Sequence, residues 1–185
     1  MRRMVAGDGA QVLAWRNSEA VAAFMYTDHW ITPDEHARWL AGALQAADRR
    51  YWIIEVDGEP VGLANLAEID RANRRAAWAY YLGDPAARGR GVGSLVEVAV
   101  LEYAFNALEL HKLWCEVLIE NEPVAALHER FGFRREALFR DHVFKGGRMQ
   151  DVVGLGILRG EWDAIRRDCI ARLKAKGLEP VFILD

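Results

Sequence analysis

The sequence predicts an α/β protein of the mixed kind, a mostly antiparallel central sheet with helices on both faces. The order of patterned segments is the first observation: helices, three strands, a helix, a strand, a helix, then two strands. That order lacks the regular strand–helix alternation of a doubly wound parallel sheet. A hairpin signal at Asp57-Gly58-Glu59-Pro60 is the second, since it joins two apolar runs as antiparallel neighbours. The third is the stretch ARGRGVGSLVE, residues Ala87 to Glu97, where glycines on alternate positions run straight into a helical pattern.

The front segment WRNSEAVAAFMYTDHWI predicts a helical stretch and loop, starting from Asn17 or Ser18 as cap. In TPDEHARWLAGALQAA, Thr32 stands as N-cap, Pro33 at the first helical position and Glu35 three residues beyond the cap. That is the pattern of a capping box. YWIIEV and VGLANLAEI flank the hairpin turn, and RRAAWAYYL makes a third strand. After the glycine turn, Val92, Leu95, Val96, Ala99, Val100 and Tyr103 form an apolar stripe at helical spacing. KLWCEVLI is the next strand, and EPVAALHERF a short helix closed by Gly132. FRREALFRDHVF and MQDVVGLGIL, joined by KGGR, predict a long hairpin, followed by a closing helix over about 161–176.

A chain of 185 residues is expected to form one domain spanning 1–185. Its 52% hydrophobic and 28% charged residues are those of a water-soluble globular protein. The formal net charge of -3 argues against a nucleic-acid partner. No apolar run approaches the roughly 20 residues of a membrane span, and MRRMVAGDGAQ has no apolar core of a secretory signal. Cys115 and Cys169, the only two cysteines, lack metal-ligand spacing and are expected as reduced thiols. A cytoplasmic location and no metal follow as expectations.

Glycines at 89, 91 and 93 leave backbone N–H groups open to converge on an anion, with the following helix aiming its positive end at the same point. A Rossmann site places its glycine turn after the first strand of a βαβ unit, and here the turn comes late in the sheet. A Walker loop requires a Lys where Gly93-Ser94-Leu95 has none. The element order, with Arg88, Gly91 and Gly93 matching the signature Q/R-x-x-G-x-G/A, resembles the GNAT superfamily of N-acetyltransferases. A second signature, an Asn followed by A-x-x-L-Y-x-x-x-G-F, is similar at Asn121, Ala125, Leu127, Gly132 and Phe133. The likeness runs over roughly residues 10–160.

The resemblance implies acetyl-CoA as cofactor and a sheet splayed apart where the thioester binds. Its binding residues would be Tyr81 and Leu82 at the end of the third strand, then Arg88, Gly89, Arg90, Gly91, Val92, Gly93 and Ser94, with Asn121, Ala125 and His128. Acetyl transfer to an amine needs a neutral amine, a stabilised oxyanion and a proton for the leaving thiolate. The superfamily commonly supplies that proton from a Tyr, and His128 stands at the matching position. A glutamate expected on the strand before the glycine turn is missing, which leaves Glu116 and Glu68 as candidate bases.

The motifs WRN at 15–17, DHWIT at 28–32 and FRDHVFKGGRMQDVVGLGIL near the end resemble one branch of the superfamily. That branch acetylates the 4-amino group of a UDP-linked 4-amino-4,6-dideoxy-N-acetyl-altrosamine, a precursor of pseudaminic acid. A nucleotide-sugar acceptor needs cationic donors for its diphosphate and flat surfaces for its rings. Arg16, Asn17, His29, His36, Glu68, Tyr80 and His142 are the expected acceptor residues, with Trp30 and Trp39 as further surfaces. Two rival functions fit much of the same sequence: acetylation of ribosomal or peptide N-termini, and a non-catalytic acyl-CoA sensor. The final hairpin strand also offers an exposed edge on which a second copy could pair, giving a homodimer. The closing segment LEPVFILD is expected to pack on the domain or on such a second copy.

Overall fold

The computed structural model describes residues 1–180. In chain order it contains β1 (Arg2–Arg3), α1 (Gly9–Arg16), α2 (Glu19–Ala22), α3 (Pro33–Gln45), β2 (Arg50–Val56), β3 (Glu59–Asp70) and β4 (Arg75–Leu82). Then follow α4 (Val92–Glu102), β5 (Lys112–Leu118), α5 (Glu122–Arg130), β6 (Arg134–Lys145), β7 (Arg148–Leu158) and α6 (Arg159–Lys174). The strands form one seven-stranded sheet in the order β1-β2-β3-β4-β5-β7-β6. Every neighbouring pair is antiparallel except β4 and β5, which run parallel. The mixed sheet expected from the element order is therefore present.

Alternation along the strands sorts side chains onto two faces. Trp52 and Ile54 of β2 join the larger core with Leu66, Trp78, Leu113, Cys115 and the inner stripe of α4. Ile53, between them in sequence, joins a second core with Val12, Trp15, Ala43 and Leu63, against which Trp39 and Tyr81 pack. Helices α4, α5 and α6 cover the first face, and α1 and α3 the second.

The front of the chain departs from expectation. A short β1 pairs with β2, and α1 lies ahead of the expected start, ending at Asn17. Only a single turn, α2, follows Ser18, whose hydroxyl turns back to the Trp15 carbonyl (2.7 Å) instead of capping it. The Thr32 cap is formed on one side: its Oγ1 accepts from the Glu35 N–H at 3.2 Å. The Glu35 carboxylate pairs with His29 (3.0 Å), so the reciprocal bond of the box is not made. The β2–β3 turn is also tighter than expected. Asp57 (φ 55°) and Gly58 (φ 86°) are both left-handed, as a two-residue hairpin turn of the right twist requires. Pro60 lies inside β3, opposite Glu55 at a register shift, where a missing N–H is tolerated.

α6 is fastened to α4 by a buried carboxylate. Glu102 accepts from Trp162 Nε1 (2.9 Å), Arg166 (2.5 and 2.7 Å) and Asn106 (2.9 Å). Burial works against the charged form of Glu102, but the Arg166 guanidinium and the other donors hold its pKa below the usual carboxylate value. At the far side β6 is the edge strand, with Leu138 and Phe144 exposed along it.

Of the closing segment, Leu178 packs its side chain over Gly91. The expectation for its last five positions, 181–185, falls outside the described residues.

Candidate active site

Parallel pairing between β4 and β5 is confined to Arg75–Ala77 against Lys112–Trp114. Beyond Ala77 the two strands part, so the backbone of Trp78 to Leu82 faces a gap, at the place where the splay is expected. The gap opens into a cleft of about 340 Å³ lined by Tyr80, Tyr81, Leu82, Arg88, Asn121 and Val124, with Val21, Phe24 and Met25 closing the other wall.

The glycine turn sits at the mouth of this cleft. Asp84 opens it by capping a short turn, its carboxylate accepting from the Ala86 N–H at 2.8 Å. Gly89 (φ 74°) and Gly91 (φ 82°) then take left-handed conformations that swing the chain into α4. Val92, Gly93 and Ser94 are the first three residues of α4, so their N–H groups have no acceptor within the helix. At Gly93 the requirement is space: a Cβ there would lie 2.7 Å from the Tyr80 hydroxyl and 3.2 Å from Leu127. Arg88 reaches back to the carbonyls of Leu82 (3.2 Å) and Ala20 (3.4 Å), bracing the turn against β4 and α2. Arg90 points outward to Asp57 at 3.4 Å, and Ala125 is buried under α5. A pyrophosphate fits a concave turn of unpaired N–H groups at a helix N-terminus, and an extended thiol arm fits the strand gap behind it.

A second cavity of about 330 Å³ opens on the other face of β4. Arg16, Thr27, Glu35, His36, Trp39 and Asn65 line it, and it shares Met25, Tyr80 and Tyr81 with the cleft. His36 is buried and lies against Trp39, ring centroids 5.0 Å apart. Its Nε2 lies beside Gly9 at the start of α1, and neither it nor the buried Tyr81 hydroxyl has a well-aligned hydrogen-bond partner among the described residues. Burial lowers the pKa of His36, the adjacent Gly9 backbone partly offsets this and the nearby Arg16 adds to it, so the neutral ring is favoured. Burial also lowers that of Arg16, whose guanidinium keeps one side-chain bond, to Thr27 Oγ1 at 3.2 Å.

The remaining expected residues divide. His128 faces inward as its stripe requires, but it is only 3% exposed and does not line the cleft. Its Nδ1 lies 2.7 Å from Glu97 Oε1, a close ion pair whose orientation is not that of an aligned hydrogen bond. Trp78, Tyr80 and Phe133 box the ring, with centroids 5.1, 6.5 and 5.3 Å away. Burial alone would depress the His128 pKa; the Glu97 charge and a hydrogen bond with Cys115 together outweigh it and raise the value to about 10. Glu97 escaped the sequence because it interrupts an otherwise apolar helix. Its one signal was a carboxylate a turn beyond Gly93, between Val96 and Val98.

Glu116 projects from β5 on the face opposite to Cys115 and Val117, the same face as Ala79, which lines the second cavity. It accepts a hydrogen bond from the Tyr26 hydroxyl at 2.7 Å. Glu68 lies elsewhere. It is exposed at a bulge of β3 (φ 51°), four residues along the strand from Ala64, the partner of Tyr80, and so away from the cavity. Asn17 is committed to the backbone of Ile31 by two bonds, 2.9 and 3.0 Å, and His29 to Glu35; neither lines the second cavity. His142 stands on a bulge of β6, edge-on to Tyr26 with centroids 6.5 Å apart. Trp30 is exposed on the outer face of its loop.

Residues 1–134 match the family model described as an acetyltransferase (GNAT) domain. The chain belongs to that family. Among individual relatives, it is 31% identical over 116 residues to a spermidine N(1)-acetyltransferase of Vibrio cholerae, covering 63% of this chain and 66% of that one. A putative ribosomal N-acetyltransferase of Bacillus subtilis is 31% identical over 107 residues, 58% of each chain. The chain thus spans just under two thirds of the first relative and less of the second. A crystal structure of the Vibrio cholerae spermidine N-acetyltransferase in complex with CoA and spermine superimposes with a TM-score of 0.81 at 25% identity, over 87% of this chain and 95% of that one. The superfamily expected from the two signatures is borne out. The narrower nucleotide-sugar branch is not what these relatives carry in their names. Among the described residues no helix is long and apolar enough to cross a membrane, and no cluster of metal-ligating side chains is present.

Proposed function

We propose that the chain is an acetyl-CoA-dependent N-acetyltransferase whose acceptor carries an anionic group beside its amine. The observation that carries this is the pair of cavities meeting at Tyr80, Tyr81 and Met25, the second containing the half-buried Arg16 and the buried His36. A polycation such as spermidine calls for several carboxylates around its ammonium groups. Glu35 is the one carboxylate in this lining, and it already faces His29. A guanidinium with one side-chain partner suits a phosphate or carboxylate, and Trp39 and Tyr51 offer flat apolar surface beside it. The UDP-linked 4-amino-altrosamine that the sequence resemblance implies has this chemistry, and it is the acceptor we assign.

Acetyl-CoA supplies an activated acyl group. Arg88 braces the turn whose N–H groups hold the diphosphate, while Asn121 and Val124 flank the arm. Glu116, held by Tyr26 just outside the cavity lining, takes the proton from the amine through water. His128 is too deeply buried to reach the cleft, so the proton donor we assign is the Tyr80 hydroxyl, which lies at the first turn of α4 on the cavity wall. Burial raises the Tyr80 pKa, so the hydroxyl keeps its proton at neutral pH and can donate it in a hydrogen bond. His128 and Glu97 fix the ring from behind.

Release of free coenzyme A, followed with the UDP-linked amino sugar, spermidine and a peptide N-terminal amine, tests the assignment. Turnover is expected with the sugar, and Arg16→Met should raise its KM by about tenfold to a hundredfold, the loss of a charged hydrogen bond. Preference for spermidine would overturn the anionic acceptor; preference for the peptide would favour the ribosomal alternative. Binding of acetyl-CoA without any turnover would favour a sensor.

A further inference from the structure

The KGGR turn between β6 and β7 has no place in the chemistry above, yet it carries a lysine that is only 8% exposed. Lys145 Nζ donates to the Thr27 carbonyl at 3.1 Å and approaches Asp28 Oδ1 at 3.4 Å. The next N–H, of Gly146, donates to Asp28 Oδ2 at 3.0 Å. Gly146 and Gly147 are both left-handed (φ 59° and 76°), which gives the turn the tightness to present these donors side by side.

What they grip is the loop 24–31, which supplies Phe24 and Met25 to the cofactor cleft and Met25, Thr27 and Ile31 to the acceptor cavity. That loop contains no helix or strand, so its position depends on outside partners. Its attachments include Tyr26 to Glu116 on β5, Thr27 to Arg16 and Ile31 to Asn17 at the end of α1, His29 to Glu35 on α3, and Thr27–Asp28 to the β6–β7 hairpin. The Lys145 contact differs from the others in reaching the loop from the distant β6–β7 hairpin, and in placing an amine where little water reaches.

We infer that Lys145 is a positioning residue for the acceptor: its grip on Thr27 and Asp28 holds loop 24–31 as the common wall of the two cavities. The inference rests on the proposed function for the identity of the second cavity, but the latch itself does not depend on it. Lys145→Met keeps the aliphatic stem and removes the donor. Asp28→Ala removes the other half from a half-exposed position, with little risk to folding.

Amide hydrogen exchange over 25–31, compared in wild type and both variants, is measured beside the KM values for acetyl-CoA and for the acceptor amine. Both variants are expected to speed exchange of these amides at least tenfold. The acceptor KM is expected to rise at least fivefold, with the acetyl-CoA KM and kcat within twofold. Unchanged exchange would overturn the latch. Faster exchange with an unchanged acceptor KM would overturn the positioning role, as would a fall of kcat and both affinities together, which marks general loosening. If wild type consumed acetyl-CoA with none of the amines, the functional proposal would fail separately, while the exchange comparison would still decide the latch.

Discussion

Position 128 shows what a single residue means in this fold. The resemblance places a tyrosine there as proton donor, and the inward-facing stripe of α5 put His128 on the correct side. Three-dimensional packing then gave it a partner, Glu97, that no local pattern links to it. Removing one member of a buried pair leaves the other uncompensated, at a cost of about 3–5 kcal/mol. His128→Ala is therefore expected to lower Tm strongly, and to slow turnover only through Tyr80. The sign of the pH dependence follows from the raised pKa. With a folded value of about 10 against an unfolded one of about 6.5, the pair's contribution is complete below pH 6.5 and is lost as pH rises through 10. Thermal melts from pH 6 to 11 should show the gap between wild type and His128→Ala narrowing across that window. A gap independent of pH would mean that His128 is neutral in its box. The signals legible at this scale were those that backbone geometry imposes, namely Gly91, Gly93, Thr32 and Pro33. Pairs such as Tyr26–Glu116 and Lys145–Asp28, 90 and 117 positions apart, leave no mark in any short window.

At the scale of elements, periodicity found β2 to β7 and α3 to α6, and missed β1 and α1, although Val12 and Trp15 of α1 belong to the second core. β1 has two residues and forms because β2 offers an edge; α1 begins at a glycine after Asp8, whose carboxylate turns back to Arg2 and the Val5 N–H instead of capping the helix. α4 was legible from its stripe, but its tie to α6 through Glu102 was not. That tie gives a direct test. Glu102→Ala deletes the shared acceptor of Trp162, Arg166 and Asn106 and leaves the Trp162 N–H buried without a partner. A loss of at least about 3 kcal/mol is expected, or a Tm lower by about 6–12 °C, with acetyl-CoA affinity in the folded protein nearly unchanged. Denaturant unfolding checks it; a variant as stable as wild type would reduce the network to surface decoration.

For the whole molecule, the sheet is the device that brings the chemistry together. One parallel pair among antiparallel neighbours lets β4 and β5 separate after three residues, and the separation leaves a cleft on one face and a cavity on the other. The glycine turn, the strand gap and the second cavity meet at Tyr80 and Tyr81, residues whose alternation along β4 turns one ring to each side. The fold and the position of the glycine turn were legible because both follow from local pattern. The acceptor was not, because Arg16, His36 and loop 24–31 come together only when α1, α3 and the distant hairpin are packed. The central claim, that the turn at 88–94 holds the diphosphate of acetyl-CoA, is tested most directly by calorimetric titration of acetyl-CoA into wild type and Gly91→Asp. Saturable binding by wild type and its loss in the variant, whose side chain needs a strained left-handed position already covered by Leu178 and so distorts the turn, is the expected result. Equal binding by both proteins would contradict it.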